Sequence, residues 1–476
     1  MKWALDPNMI SSRIRWVIVF LLCACSYAGA TRADLPPPRC DGPPSAPAAA
    51  ARTPEREPTV QDYEQILSRQ PRNARDYYDH GVLHERMDQH TSAILDYTRA
   101  IGIDPCLAQA YERRGVIYAT LGQFERALKD LDEALRIDAK SSSAYVNRGA
   151  AYEAMGQNPR ALADFNQAVA LDPSSANARL RRGASYELAG ESEQALAEYD
   201  TAMRINPSDA QPYFFRARTF IAQRRFERAL EDLDQALRRD ARDAKIYQSR
   251  AAVYAALGDQ ARSIQDYSEA IRLDARYALA YQGRGDAYAR NGEADRAIQD
   301  YSEAIRLNPK NAYAFYSRGL AYAGKREHQR AIDDFGDALR HKPDYALALR
   351  QRGMSQQKLG QIERAMADFD AAIRLDERDT VALNELAWLL ATSSETHLRD
   401  GKRAVELARS ACTISGWKVP ELFDTYAAAL AEAGKFEDAV KWQEAALESA
   451  DFARAHGAQA QARLRLYREG KPYRAP

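Results

Sequence analysis

Apolar and small residues recur along this chain with a helical spacing and with a long fixed period, which separates Gly81 from Gly115 and Gly115 from Gly149. Counted from Ala74, each of nine successive segments carries glycine or alanine at position 8 and alanine at position 27. The apolar positions of a segment fall three, four and seven residues apart, which predicts two amphipathic helices per segment. Because small side chains let neighbouring helices approach closely, we expect these two helices to pack against each other.

Aromatic residues fill complementary positions of the same period. Positions 4 and 11 are usually tyrosine or phenylalanine, and the spacing of seven between them is two helical turns, which places both on one stripe. Position 24, in the second helix, is aromatic in seven segments. Glycine at position 15 and proline at position 32 mark helix ends. The 26 tyrosines of the chain therefore indicate packing between helices.

This combination of small, aromatic and proline positions resembles the tetratricopeptide repeat. The resemblance implies an all-α fold, a right-handed α-solenoid in which antiparallel helix pairs stack into a superhelix. Nine 34-residue repeats span residues 74–379, after a leading half-repeat helix at residues 59–73. Residues 380–451 resemble two divergent repeats common in bacterial proteins, with an insertion at residues 393–399 between two helices. Residues 452–476 predict a capping helix and a tail.

Residues 1–58 lie outside the repeats and predict export. Arg13 and Arg15 precede a short apolar run and an Ala-Gly-Ala sequence that ends at Ala30, which is the layout of a signal peptide over residues 1–30. Two alternatives are an uncleaved membrane anchor and lipidation at Cys25, which lies in a sequence similar to a bacterial lipobox. Residues 31–58 are rich in proline and alanine and predict a disordered linker. The expected location is the periplasm or the exterior, with a membrane-anchored lipoprotein as the alternative.

Charge and cysteine content narrow the classes of function. The 67 basic residues equal the 67 acidic residues, which argues against a nucleic-acid partner and leaves membrane contact only to an N-terminal anchor or lipid. A mean hydropathy of −0.56 excludes a protein with many membrane spans. Outside the signal segment the cysteines are Cys40, Cys106 and Cys412, an odd number from which we expect neither a disulfide framework nor a zinc site.

Two rows of charged residues run through the repeats in register. Position 7 is arginine in eight repeats, and position 23 of the same repeats is aspartate or glutamate. Matched opposite charges predict ion pairs between the two helices of a repeat rather than a basic track for phosphates. This predicted structural ladder consists of Arg114, Arg148, Arg182, Arg216, Arg250, Arg284, Arg318 and Arg352 with Asp130, Asp164, Glu198, Asp232, Asp266, Asp300, Asp334 and Asp368.

We identify no catalytic residue, no metal ligand set and no cofactor motif in the sequence. His80 and His84 have the helical spacing of metal ligands, but they occupy positions 7 and 11, where packing explains them. Ser355 and Lys358 match an SxxK string, but the SDN and KTG motifs that accompany it in penicillin-recognising enzymes are missing. We therefore expect a protein that is not an enzyme and has no cofactor.

The resemblance assigns ligand binding to a concave wall formed by positions 2, 5, 9, 12 and 13 of the first helices. Positions 5 and 9 are mostly apolar or neutral here, and position 9 is never the asparagine with which chaperone-docking members of the family help hold a C-terminal carboxylate. We therefore expect a protein or peptide partner, either an apolar-faced helix or an extended peptide. The expected groove residues are Val82, Val116, Val146, Leu180, Phe214, Ile221, Tyr313, Tyr316, Leu320 and Trp388.

Three alternatives to a groove-binding scaffold stay open at this point. Small residues at position 9 also allow tight packing of a superhelix, without any role in binding. The chain is alternatively an envelope-biogenesis lipoprotein or accessory subunit anchored through Cys25. The third alternative is a structural assembly of identical solenoids through their outer faces.

Overall fold

The computed structural model describes residues 70–475 together with Tyr63 and Leu67. These residues form two compact units, of which the N-terminal unit ends at Ala241 and the C-terminal unit begins at Arg242. Both units are built from α-helices, and no strand occurs within the described ranges, which confirms the all-α prediction. The predicted signal peptide and linker lie outside the described residues; Tyr63 and Leu67, from the predicted leading helix, are helical.

In the N-terminal unit five helix pairs follow one another. A short turn joins the first helix of a pair to the second, so the chain reverses direction within a repeat. The first helices are α1 (Ala74–Arg86), α3 (Ala108–Thr120), α5 (Ser142–Ala154), α7 (Ala176–Ala189) and α9 (Gln211–Ala222). The second helices are α2 (His90–Ile103), α4 (Phe124–Ile137), α6 (Asn158–Leu171), α8 (Ser192–Ile205) and α10 (Phe226–Arg239).

Six helix pairs and one closing helix make up the C-terminal unit. The first helices are α11 (Ala244–Ala256), α13 (Ala278–Arg290), α15 (Ala312–Gly324), α17 (Ala346–Lys358), α19 (Thr380–Thr392) and α21 (Pro420–Glu432). The second helices are α12 (Gln260–Leu273), α14 (Ala294–Leu307), α16 (His328–His341), α18 (Ile362–Leu375), α20 (Gly401–Ile414) and α22 (Phe436–Leu447). A short 3₁₀ helix (Thr396–Leu398) lies between α19 and α20, and α23 (Ala450–Arg468) closes the unit.

Glycine at position 15 ends the first helix of a repeat. In six repeats this glycine has a φ between 72° and 84°, a left-handed conformation that glycine adopts without the steric cost of a side chain. The six residues are Gly122, Gly156, Gly190, Gly258, Gly292 and Gly360. Arg224 takes the same position in the fifth repeat with a φ of 59°.

Small residues and rings interlock inside each helix pair. The ring of Phe165 is fully buried against Gly149, and a Cβ added at Gly149 would lie 2.6 Å from Phe165 Cε1. Gly183 meets Tyr199 in the same way, at 2.6 Å. Where position 24 is aromatic and its ring lies against the glycine at position 8, that glycine is therefore required by the ring.

In the sixth repeat the aromatic ring at position 24 contacts a glycine of the next repeat instead of position 8 of its own. Position 8 of the sixth repeat is Ala251, and the ring of its own Tyr267 lies against Gly283 at position 6 of the next repeat. A Cβ at Gly283 would come within 2.3 Å of Tyr267 Cζ. Gly283 thus has a packing role, although it lies in the middle of a helix.

One expectation about the cysteines is wrong. Cys106 is disulfide-bonded, and its partner lies outside the described residues, whereas Cys412 is free and buried. An odd number of cysteines excludes complete pairing but still permits one bridge. Burial raises the pKa of the Cys412 thiol to about 12, so this cysteine behaves as a small apolar core residue.

Candidate peptide-binding surface

The charged rows of the repeats form ion pairs within each helix pair. Seven arginines donate through Nε and Nη2 to both carboxylate oxygens of the position-23 aspartate, at 2.6–2.9 Å. The eighth, Arg182, donates to Glu198 at 2.5 Å through Nη2. The aspartates are buried and the arginines partly so, which makes these pairs structural rather than a surface for anions.

Some of these arginines also donate a hydrogen bond to the preceding repeat, which the sequence analysis did not predict. Arg148 Nη1 donates to Asp132 at 2.8 Å, and Arg216 Nη1 donates to Asp200 at 2.5 Å. In both cases the acceptor occupies position 25, where most repeats carry aspartate, asparagine, serine or threonine. These residues at position 25 share the ability to accept a hydrogen bond rather than one residue type, and this property could have predicted the contact. Each such arginine therefore ties three helices from two repeats together.

We call the side chains at positions 2, 5, 9 and 12 of the first helices the first-helix surface. In the N-terminal unit this surface carries acidic residues at position 12, which pair with arginines of the next repeat. Glu85 accepts hydrogen bonds from Tyr97 Oη at 2.8 Å and from Arg113 Nη1 at 3.2 Å. Glu153 lies 3.6 Å from Arg181. Burial raises the pKa of Glu153, and the charge of Arg181 opposes that shift in part.

Most of the groove residues expected in the N-terminal unit lie partly or fully below this surface. Four of the six are half-buried, while Val146 and Phe214 are 5% and 8% exposed and pack into the helix layer. The half-buried residues are Val82, Val116, Leu180 and Ile221. The exposed part of the first-helix surface in this unit is therefore mainly polar.

In the C-terminal unit the expected groove residues come together around a cluster of rings. Tyr316 is 8% exposed, and its ring lies 4.9 Å from that of Tyr345 and 5.9 Å from that of Phe335. Tyr313 Oη donates to Asp286 Oδ2 at 3.3 Å, and burial raises the pKa of Tyr313. Leu320 is half-buried and packs on the same cluster.

A row of apolar side chains at position 2 is the most exposed apolar feature of this surface. It passes over four consecutive first helices, α13, α15, α17 and α19, with one side chain from each. Leu279 is 44% exposed and Val381 is 41% exposed, while Tyr313 and Leu347 between them are half-buried. Position 2 was expected to belong to the groove, and reading its residues from repeat to repeat would have found the row.

Trp388, the last expected groove residue, is covered by the chain's own tail. The guanidinium of Arg463 lies beside the rings of Trp388 and Tyr473, 5.4 and 5.5 Å from their centroids, and these two centroids are 6.0 Å apart. Arg463 in turn binds both oxygens of the buried Asp424, at 3.0 and 2.8 Å. The amide of Ala475 donates to the carbonyl of Thr392 at the end of α19, at 2.8 Å. This end of the first-helix surface is therefore occupied within the chain.

The histidines considered as metal ligands have other contacts. His84 Nδ1 lies 2.7 Å from Gln89 Oε1, and His80 is buried within the helix pair. A separate group, Glu363, Glu395 and His397, comes together where the 3₁₀ segment meets α18, with all three side chains exposed. Within the described residues no helix is both long and apolar enough to cross a bilayer.

Family models match six segments of the chain. The model described as TPR repeat matches residues 115–156, 251–292 and 285–325, and two models described as tetratricopeptide repeat match residues 142–175, 74–105 and 348–379. A search of curated proteins found no match to the sequence. Members of this repeat family act in general as scaffolds for protein interaction.

Solved structures of repeat proteins are similar to parts of the chain. A tetratricopeptide repeat protein from Parabacteroides merdae is 20% identical over 55% of this chain and 99% of its own, with a TM-score of 0.42. YrrB, described as a TPR protein with an unusual peptide-binding site, is 24% identical over 39% of this chain and 95% of its own, with a TM-score of 0.34. Yeast Tom70 is 16% identical over 83% of this chain and 96% of its own, with a TM-score of 0.37. The matched repeats, their period and their helix pairs show that the chain belongs to the tetratricopeptide repeat proteins.

Proposed function

We propose that this chain is an exported, non-enzymatic scaffold that binds a protein segment with an apolar face along the first-helix surface of its C-terminal unit. The observation that carries the proposal is the row Leu279, Tyr313, Leu347 and Val381. Apolar side chains repeated on four adjacent helices, exposed at Leu279 and Val381 and half-buried at the two positions between them, form an extended strip, and burial of such a strip drives association.

The form of the surface favours an amphipathic helix or an extended peptide as the ligand. The row is one side chain wide in each repeat, with half-buried Leu320 and Met354 on the same helices. Burying four such side chains would contribute a few kcal/mol, at ~25 cal/mol per Å² of apolar area, before the entropy of association is subtracted. We expect binding by shape and burial rather than by charge.

The proposal is tested by affinity capture from an envelope extract with the chain lacking residues 1–30. The variant Leu279→Glu/Val381→Glu places two charges on the row and should lose its captured partners. Leu359→Glu/Leu375→Glu is the control, because these leucines are 43% and 48% exposed but lie outside the first-helix surface. An unchanged set of partners with the first variant, or equal losses with both, would contradict the proposal.

Export is the second part of the proposal. It is supported by the arginines and the apolar run within residues 1–30 and by the disulfide bond of Cys106, since disulfides persist in oxidising compartments. Cell fractionation should place the chain in the periplasm or the medium. Radiolabelled fatty acid that is incorporated, and that is lost in Cys25→Ser, would instead support the lipoprotein alternative.

A further inference from the structure

A cavity on the N-terminal unit collects three arginines around one aromatic ring. It has a volume of about 350 Å³, and its principal lining residues are Glu193, Asp200, Arg216, Phe220, Arg225 and Arg228. The Phe220 ring is 7% exposed. The guanidinium carbons of Arg225, Arg216 and Arg228 lie 4.6, 5.8 and 5.9 Å from its centroid. Such stacking holds guanidinium groups in place.

Arg228 occupies position 19 of its repeat, and in other repeats an arginine at this position has a hydrogen-bond acceptor within the same repeat. In six repeats this arginine donates to the carboxylate or amide oxygen of position 16, at distances of 2.6–3.4 Å. These pairs are Arg126 with Gln123, Arg160 with Gln157, Arg262 with Asp259, Arg296 with Glu293, Arg330 with Glu327, and Arg364 with Gln361. In these six repeats an arginine at position 19 is therefore accompanied by an acceptor at position 16.

The fifth repeat reverses this arrangement, because position 16 is itself an arginine, Arg225. Within the part of the chain that the structure describes, Arg225 donates to Gln223 at 3.1 Å, and neither Arg225 nor Arg228 forms an ion pair, with Glu193 or with any other acid. Arg216 differs from both, since Asp232 and Asp200 bind it. Two guanidinium groups thus converge on one cavity without the acceptor that the six comparable repeats supply.

We propose that this cavity binds a phosphate-type oxyanion between Arg225 and Arg228. A phosphate group carries up to two negative charges and several acceptor oxygens, which match two guanidinium forks. The ring of Phe220 keeps both groups at the cavity, and Arg216 stays bound to its own carboxylates. The phosphate is either the free ion or the phosphate of a phospholipid headgroup, since both present the same acceptor oxygens.

The site is tested by a ³¹P NMR titration of inorganic phosphate with the chain lacking residues 1–30, at constant ionic strength. Arg225→Gln installs the residue that four other repeats carry at position 16 and gives Arg228 an internal acceptor. We expect saturable binding to the wild type and at least five-fold weaker binding to Arg225→Gln. The control Arg364→Gln removes one positive charge from position 19 of the ninth repeat and should leave phosphate binding unchanged.

Two results would overturn the site: no saturable binding by the wild type, or equal weakening by Arg225→Gln and Arg364→Gln. Circular dichroism melting curves of both variants show that any loss is not caused by unfolding, and Arg228→Gln provides a second variant at the site. Co-sedimentation with phosphatidylcholine vesicles that contain phosphatidylglycerol distinguishes the sources. Vesicle binding that Arg225→Gln abolishes supports the headgroup, whereas phosphate binding without vesicle binding supports the free ion.

Discussion

The arginine at position 7 of a repeat links its own helix to neighbouring helices. Arg216 binds Asp232 in its own repeat and Asp200 in the repeat before it, while Asp232 is almost fully buried. Burial already raises the pKa of Asp232 although Arg216 opposes the shift, so without this partner the carboxylate is left uncompensated in a medium that solvates its charge poorly. The energetic importance of the arginine therefore lies in the acids that it neutralises.

This argument predicts the effect of Arg216→Ala. Leaving Asp232 unpaired should lower the free energy of unfolding by about 3 kcal/mol. Arg136→Ala is the control, because Arg136 pairs with Glu133 within one helix, at a partly exposed site where such pairs contribute about 0.5 kcal/mol. Chemical denaturation measures both variants. Equal losses, or none for Arg216→Ala, would show that the ladder does not stabilise the repeats.

Glycine at position 8 leads to a second prediction at the residue scale. Gly149→Ala places a methyl group 2.6 Å from the buried ring of Phe165, and overpacking of this kind costs about 1–3 kcal/mol. Gly102→Ala is the matched control, since nothing lies within 4 Å of the added Cβ and alanine favours a helix by up to about 1 kcal/mol. Thermal melting should therefore shift down for the first variant and up or not at all for the second. A rise for Gly149→Ala would contradict the proposed packing.

The partly buried carboxylate of Glu153 gives a pH-dependent prediction. Burial raises its pKa in the folded chain, so the folded state holds this proton more tightly than the unfolded state does. Stability is therefore lost as the pH rises from the unfolded pKa through the folded one. Glu153→Gln removes this loss, and its melting temperature relative to the wild type should increase between about pH 4 and pH 7. A difference that stays constant or decreases would contradict the shift.

At the scale of elements, the sequence period predicts the helix pairs. It does not predict the contacts between neighbouring repeats or the contacts of the C-terminal tail with the last repeats. Position 8 is glycine or alanine in all nine repeats and position 24 is aromatic in seven, so their contact within most helix pairs follows from the sequence. The Tyr267 contact with Gly283 does not, because it crosses from one repeat to the next and occurs at a position where other repeats carry larger residues. The return of the tail onto Trp388 is invisible in the sequence, since residues 471–475 follow no period.

The tail provides a prediction at this scale. Tyr473→Ala removes a ring that contacts both Trp388 and Arg463, and such contacts contribute about 1 kcal/mol. Amide hydrogen exchange in α19 should become faster by several-fold, while Lys471→Ala, with a side chain that is 66% exposed, should leave it unchanged. Unchanged exchange in both variants would mean that the tail does not stabilise the last repeats.

At the scale of the whole molecule, the two units present different first-helix surfaces. The N-terminal unit carries acid–base pairs such as Arg113 with Glu85, whereas the C-terminal unit carries the apolar row. A largely apolar or neutral groove was expected from positions 5 and 9, whereas the difference between the units lies at positions 2 and 12. Val146, Phe214 and Tyr316 were expected in the groove but are buried. The sequence period alone does not reveal this burial.

The most direct measurement of the central proposal is site-specific photo-crosslinking in the cells that make the protein. A photoreactive residue at position 279 or 347 lies on the apolar row of the C-terminal unit, and one at position 359 or 375 lies outside it. We expect a covalent adduct with a second protein from the first two positions only. Adducts of equal yield from all four positions, or none from positions 279 and 347, would contradict binding at the first-helix surface.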